Sequence, residues 1–361
     1  MATFIAETAR DCDARIVHAG DIFNTVRPQP WAYDVADLLG ATRDDAVGII
    51  GNHGADGLSV RPEDVVHAVK FYRKPQVLRG ADMDIALVPW LGRAWVAATY
   101  PDLLVGEQMR YMADALGRVV ANLAAEKRAG IPLACVSHFV CQGEAWNSGT
   151  QPQVGESGDF IVPRSVFDRP EFAVVLLGHV HQPQEIAADH TRILSVGANV
   201  RSDFGEEGQP TRVLHVTPAG DGVDIAEIAT PSVEFVSLEV VPPDERYPDG
   251  GLRDNTRGFL EHIPVAGKVV RLTGELPAGE EAATLISRMT AVCLQAGALK
   301  VTKPAVRFHR TEARAVRAIA LDAKPDTALR SYAELVGGDV AERLDDLLAV
   351  QRELAEVGAD A

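Results

Sequence analysis

The stretch Val174-Val175-Leu176-Leu177-Gly178-His179-Val180-His181 decides the fold of this chain. A short run of β-branched and aliphatic residues closed by glycine is typical of a buried strand. Three further apolar runs also end in residues able to hold a metal ion: Arg15-Ile16-Val17-His18-Ala19-Gly20-Asp21, Val47-Gly48-Ile49-Ile50-Gly51-Asn52-His53 and Leu133-Ala134-Cys135-Val136-Ser137-His138. Open sheets of such strands place ligands beyond their carboxyl ends. The four runs therefore predict a sheet with a metal site at one edge.

Each motif alone also has a purely structural interpretation. Gly20-Asp21 fits a tight turn with a helix cap, Gly51-Asn52-His53-Gly54 fits a turn, and His138 fits a hydrogen-bonded core histidine. The pair His179 and His181 is more specific, because residues i and i+2 of an extended segment project to the same side. Together the motifs favour a metal centre.

Composition indicates a soluble globular enzyme. The chain has 361 residues, 47% hydrophobic and 24% charged, enough for two domains or for one domain with an appendage. We expect a cytoplasmic protein without a membrane partner, because no apolar stretch approaches a membrane span and the start lacks a signal-like pattern. Its four cysteines (Cys12, Cys135, Cys141 and Cys293) form no CxxC pair, which favours reduced thiols.

The charge distribution is uneven. A net charge of −16 argues against non-specific coating of nucleic acid. One local segment, residues 300–324, is rich in basic residues and contains only two acidic ones, Glu312 and Asp322. Its basic residues are Lys300, Lys303, Arg307, Arg310, Arg314, Arg317 and Lys324. It is either a solvated face or a surface that contacts DNA or a partner.

The order of the patterns predicts an α/β (α+β layered) architecture. Residues 1–230 alternate strand-like and helix-like runs, with helices ending at Asp11 and spanning Leu104–Ala129. Turn-rich sequence then introduces a smaller α+β module at 231–335. Residues 336–361 form an amphipathic helix, able to dock on its own domain or on a partner helix.

Taken together, the motifs resemble those of the calcineurin-like metallophosphoesterases, and within them the SbcD/Mre nuclease branch. The resemblance rests on Gly20-Asp21-Ile22-Phe23, Gly51-Asn52-His53, Ser137-His138 and Gly178-His179-Val180-His181, with support from the Ser195–Gly208 stretch. It covers roughly residues 1–275. It implies a β-sandwich flanked by helices and a smaller capping module.

The resemblance also implies roles for individual residues. Asp21 would bridge two metals, Asn52, His138 and His179 would complete the shell of one, and His181 would bind the other. His53 would act at the leaving oxygen of the scissile phosphate, and Asn24 would lie near the substrate. Mixed carboxylate, amide and imidazole ligands suit Mn²⁺, with Mg²⁺ as the alternative. Two such ions can activate water and neutralise phosphoryl charge.

One family motif is absent from the sequence. The family opens with Asp-x-His on a first strand, and this chain has no Asp-x-His. Without it the second metal keeps only Asp21 and His181. Either the start is set too late or the chain is a fragment, or the enzyme is weakened and retained for binding. We favour a start that is set too late or a fragment, and expect upstream in-frame codons to encode an apolar strand followed by Asp-x-His.

Three functions compete at this stage. The first is a metal-dependent DNA exonuclease or endonuclease subunit for repair or recombination, partnered with an SbcC-type ATPase. The second keeps the fold but acts on small phosphoesters, because the metal chemistry is shared. The third is a catalytically impaired scaffold that binds the ATPase or DNA. A homodimer is a further open alternative.

Overall fold

The computed structural model describes residues 1–23, 28–40, 45–52, 61–92, 105–145, 160–243, 248–254, 258–259, 264–277, 280–309, 329–330 and 343–357. Within these ranges the helices are α1 (Ala2–Asp11), α2 (Pro30–Asp37), α3 (Pro62–Val65), α4 (Val105–Ala125), α5 (Glu280–Gln295) and α6 (Leu344–Val357). The predicted helix over Leu104–Ala129 is therefore present but ends at Ala125.

Two sheets carry the strand ends of interest. The first is a parallel sheet of β1 (Val17–His18), β2 (Val47–Ile49) and β3 (Lys70–Tyr72), in that order. The second has the order β10-β11-β9-β6-β5-β4, formed by β4 (Gln76–Leu78), β5 (Asp84–Val88), β6 (Leu133–Ser137), β9 (Val174–Leu177), β10 (Gln184–Ile186) and β11 (Arg192–Ser195). Its four inner strands are parallel, and β4 and β10 are antiparallel edges.

Apolar side chains of both sheets share one interior. Val17 packs with Ile49 of the first sheet and with Leu87 and Val136 of the second. Helix α4 covers the opposite face of the six-stranded sheet through a stripe that includes Leu116. Helices α1 and α2 contribute to a separate cluster with the outer side of the three-stranded sheet. The predicted β-sandwich flanked by helices, a mixed α/β fold, is confirmed.

The remaining strands form smaller units. The short strands β7 (Val140–Cys141) and β8 (Ile161–Val162) pair in parallel. The hairpin of β12 (Arg212–Ala219) and β13 (Gly222–Ala229) packs against the six-stranded sheet. Another sheet has the order β16-β15-β14-β17-β18, with β19 beside β17, from β14 (Phe235–Val241), β15 (Gly251–Asp254), β16 (Gly258–Phe259), β17 (Val269–Pro277), β18 (Lys300–Val301) and β19 (Ala305–His309).

The chain divides into two compact units that are not contiguous in sequence. The first comprises Met1–Leu238, His262–Arg271 and Cys293–Lys303, and the second comprises Glu239–Glu261, Leu272–Val292 and Pro304–Ala361. The three segments expected from the sequence, 1–230, 231–335 and 336–361, stay a prediction. Among the described residues, no helix combines the length and apolar composition of a transmembrane span.

Candidate metal centre

The carboxyl ends of four strands deliver polar side chains to one place. Asp21 follows β1, Asn52 follows β2, and His138 and His179 follow β6 and β9. Because the parallel strands of each sheet end at the same edge, these side chains meet although they are far apart in sequence. The structure thus brings Asp21, Asn52, His138 and His179 together, and their roles as metal ligands stay a prediction.

The four side chains form a tight cluster of ligand atoms. The Nε2 atom of His138 lies 3.0 Å from Oδ2 of Asp21 and 3.0 Å from Oδ1 of Asn52. The same Asn52 oxygen lies 3.1 Å from Nδ1 of His179. One ligand atom from each of Asp21, His138 and His179 falls within 4.8 Å of the others. These ligand atoms therefore lie close enough together to hold a metal ion.

The hydrogen bonds of His138 show how a cation fits this cluster. Its Nδ1 lies 2.7 Å from the carbonyl oxygen of Ala19, which only accepts, so Nδ1 carries a proton. Nε2 then faces the oxygens of Asp21 and Asn52, so the three atoms together could hold a cation. Metal–ligand distances of about 2.1 Å at near-octahedral angles put neighbouring ligands roughly 3 Å apart, as found.

The backbone is held in unusual conformations at the ligands. Asp21 has φ +50° and His179 has φ +82°, in the left-handed region that non-glycine residues seldom occupy. Such conformations persist where the surrounding structure enforces them, often at functional sites. Strand β9 ends at Leu177, so the expectation that His179 and His181 continue an extended segment was wrong.

Glycine is required where the motifs touch each other. A Cβ atom on Gly51 would lie 2.2 Å from Oδ1 of Asp21, and one on Gly178 would lie 2.1 Å from the carbonyl oxygen of Ala19. Both distances are far below van der Waals contact. The glycines that close the apolar runs thus allow the ligand-bearing turns to pack together.

His181 has a different partner from the other ligands predicted by sequence. Its Nδ1 lies 2.5 Å from Oε1 of Glu206, a carboxylate whose side chain is only 2% exposed. Burial opposes the charged ring, yet the hydrogen bond to Glu206 and its charge raise the pKa of His181. His181 is not in the three-residue cluster found among the described residues, so its role as a ligand of a second metal stays a prediction.

Two further side chains lie at this edge, the indole of Trp90 and the imidazole of His18, and the sequence patterns did not predict a role for either. Trp90, which follows β5, stacks on His179 with ring centroids 5.6 Å apart and on Phe139 at 5.0 Å. Burial, partly opposed by the charge of Asp21, lowers the pKa of His18 to about 4, so this ring is neutral at pH 7. Both follow or end apolar runs, which is the only signal the sequence offers for them.

Five of the other predicted site residues, Asn24, His53, Arg310, Arg314 and Arg317, fall outside the described residues. Lys300 on β18, Lys303 after it and Arg307 on β19 are exposed. Arg307 is 87% exposed and has a long 4.0 Å contact with Glu275. The assignment of these residues to DNA stays a prediction.

The sequence is similar to that of a known nuclease component. No protein-family profile matches the chain. The SbcD component of the SbcCD nuclease of Rhodobacter capsulatus shares 28% identity with it over 239 residues, which is 59% of this chain and 58% of that protein. The chain therefore spans less than two thirds of that relative's length.

Two solved structures show weaker likeness. The Phosphopantetheinyl Hydrolase of Mycobacterium tuberculosis has 13% identity and a TM-score of 0.32, over 51% of this chain and 79% of its own. A putative 5'-nucleotidase of Staphylococcus aureus has 12% identity and a TM-score of 0.33, over 63% and 47%. The sequence relative and the order of the strand-end ligands thus make this chain similar to the SbcD component of a nuclease.

Proposed function

We propose that the chain is a metal-dependent phosphodiesterase that cleaves DNA as a nuclease subunit of the SbcD kind, in cytoplasmic DNA repair or recombination. The observation that carries the proposal is the cluster of Asp21, Asn52, His138 and His179, built from four strand ends. The relative in Rhodobacter capsulatus, which is named as part of a nuclease, supports a nucleic acid as the substrate.

The ligand set favours Mn²⁺, with Mg²⁺ as the alternative. One carboxylate, one amide oxygen and two imidazoles suit a borderline divalent ion better than a soft one. When bound, such an ion supplies Lewis acidity toward a phosphoryl oxygen and activates water. This is the chemistry that hydrolysis of a phosphodiester needs.

The residues of the chain hold and orient the reacting groups. His138 keeps its Nδ1 proton on Ala19, which directs the Nε2 lone pair into the cluster. Asp21 contributes the negative charge of the set, and Asn52 adds a neutral oxygen between the two histidines. His53 directly follows Asn52 in sequence, and we assign it to the leaving oxygen of the scissile phosphate.

Partners are proposed from the same similarity. We propose an SbcC-type ATPase as the binding partner, with the C-terminal helix α6 among the surfaces that could dock on it. This helix has exposed Leu347 and Val350 beside buried Leu348. The basic residues from Lys300 onward would contact DNA or the partner.

A substrate panel tests the activity. The purified chain is assayed on linear duplex DNA and on small phosphodiesters, with Mn²⁺, with Mg²⁺ and with EDTA. We expect Mn²⁺-dependent cleavage of DNA that falls by at least about 100-fold in His138→Ala and in His53→Ala. His190→Ala, a substitution of an exposed histidine, is the matched control and should retain activity.

The outcomes separate the competing functions. Cleavage of small phosphodiesters with no action on DNA would reject the nuclease and favour the small-ester enzyme. A chain that binds one ion or none and hydrolyses neither substrate would favour the scaffold. Equal activity in the native chain and His53→Ala would reject the role of His53.

A further inference from the structure

Glu206 holds the ring of His181 by a short hydrogen bond. Oε1 of Glu206 lies 2.5 Å from Nδ1 of His181. A carboxylate only accepts hydrogen bonds when ionised, so the proton of this contact belongs to Nδ1. The Nε2 atom at the opposite corner of the ring then carries the lone pair in the neutral imidazole.

Glu206 is itself fixed in place. Its side chain is 2% exposed. Oε2 accepts a hydrogen bond from the backbone nitrogen of Ser202 at 2.7 Å, and Oε1 accepts one from the Ser202 hydroxyl at 3.0 Å. Asp203 caps the short 3-10 helix Phe204–Glu206 by accepting from the Gly205 nitrogen at 2.6 Å. The carboxylate therefore has little freedom to leave the histidine.

The same segment also fixes the backbone of His181. The backbone nitrogen of Ala198 donates to the carbonyl oxygen of His181 at 2.9 Å. Residues 198–206 thus contact His181 at both its main chain and its ring.

We propose that Glu206 is a positioning residue, which keeps His181 in the Nδ1–H tautomer so that Nε2 can bind a divalent cation at the metal centre. Hydrogen bonds from the second nitrogen of a metal-binding histidine to a carboxylate set its tautomer and orientation. The inference rests on the proposed function for the metal, whereas the tautomer and the geometry do not depend on hydrolysis.

NMR of the metal-free full chain tests the tautomer. Long-range ¹H–¹⁵N correlations on ¹⁵N-histidine-labelled protein, recorded at a pH where the His181 ring shows the ¹⁵N shifts of the neutral form, report which nitrogen carries the proton. The His181 signals are assigned by their loss in His181→Asn. We expect Nδ1–H in the native chain and a shift toward Nε2–H in Glu206→Ala. Glu206→Gln should retain Nδ1–H, because its amide oxygen still accepts.

Mn²⁺ titration, by calorimetry and by EPR of the free ion, tests the consequence for binding. Loss of such a partner costs 10–100-fold in metal affinity, so we expect the Kd of the His181-dependent site to rise about 10–100-fold in Glu206→Ala. The increase should be smaller in Glu206→Gln, which also serves if the alanine variant does not fold. Glu207→Gln, a neighbouring carboxylate that accepts from Ser237, is the control and should bind as the native chain does.

The results that overturn the inference are distinct from those that reject the nuclease. An unchanged tautomer in Glu206→Ala overturns it, as does unchanged Mn²⁺ affinity in His181→Asn or in Glu206→Ala. Absence of DNA cleavage by a chain that shows the expected tautomer and Mn²⁺ binding rejects only the proposed substrate.

Discussion

Gly178→Ala should break the contact between two strand-end motifs. Its Cβ would lie 2.1 Å from the Ala19 oxygen and 2.9 Å from Nδ1 of His138, two atoms already joined by a 2.7 Å hydrogen bond. To reach van der Waals contact the carbonyl must move by about 1 Å. Overpacking costs about 1–3 kcal/mol, and loss of a buried hydrogen bond costs about as much again. We expect the free energy of unfolding to fall by about 2–5 kcal/mol.

Urea denaturation of the metal-free chain, followed by tryptophan fluorescence, measures this loss. Gly117→Ala is the matched control, because its Cβ would lie 3.8 Å from Val166, an ordinary contact within helix α4. Removing a helical glycine should leave stability unchanged or raise it by up to about 1 kcal/mol. If the two variants differ by less than about 1 kcal/mol, the packing of Gly178 against the ligand turn is not as tight as argued.

Three further predictions concern buried or stacked groups. Burial raises the pKa of Glu144 to about 7, so this carboxyl holds its proton more tightly in the folded state than in the unfolded state. The free energy of unfolding should therefore fall by about 3 kcal/mol between pH 4.5 and 7. A flatter profile of stability against pH in Glu144→Gln checks this. The hydrogen bond from Arg128 lowers the pKa of buried Asp84 to about 2. This shift contributes about 2 kcal/mol to the free energy of unfolding, a contribution that is present above pH 3.8 and lost as the pH falls to 2. Asp84→Asn should remove this acid sensitivity in thermal melts. Trp90→Leu should weaken Mn²⁺ binding several-fold in calorimetry because His179 loses its stacking partner, and equal affinity would show that the stacking does not orient the ring.

The sandwich was predictable because its inner strands are buried on both faces. A strand such as β9 (Val174–Leu177) must then be apolar throughout. An uninterrupted run of apolar residues is easy to recognise in a single sequence. The same rule located β5 and β6. Ligand types were predictable as well, because polar residues directly after such runs must lie at the sheet edge.

The partners of the ligands were not predictable in the same way. Glu206 lies on a short 3-10 helix after β11, and Trp90 follows β5 on the far side of β6. Neither position has a periodic pattern, because each is set by how loops fold over the sheet edge. His179 shows the same limit: its φ of +82° turns the His-x-His pair out of the extended form expected from alternation.

This departure from extended geometry explains why the two histidines have separate partners. In an extended segment both rings would project to one side and compete for the same space. The left-handed turn at His179 instead brings its Nδ1 to Asn52, while His181 meets Glu206. The backbone strain at His179 thus sends one ring into the cluster and leaves the other to a separate carboxylate. Glycine adopts this φ without strain. His179→Gly should therefore remove one ring from the cluster and keep the turn, so that His181 retains its Nδ1 proton on Glu206 in the NMR measurement that tests Glu206.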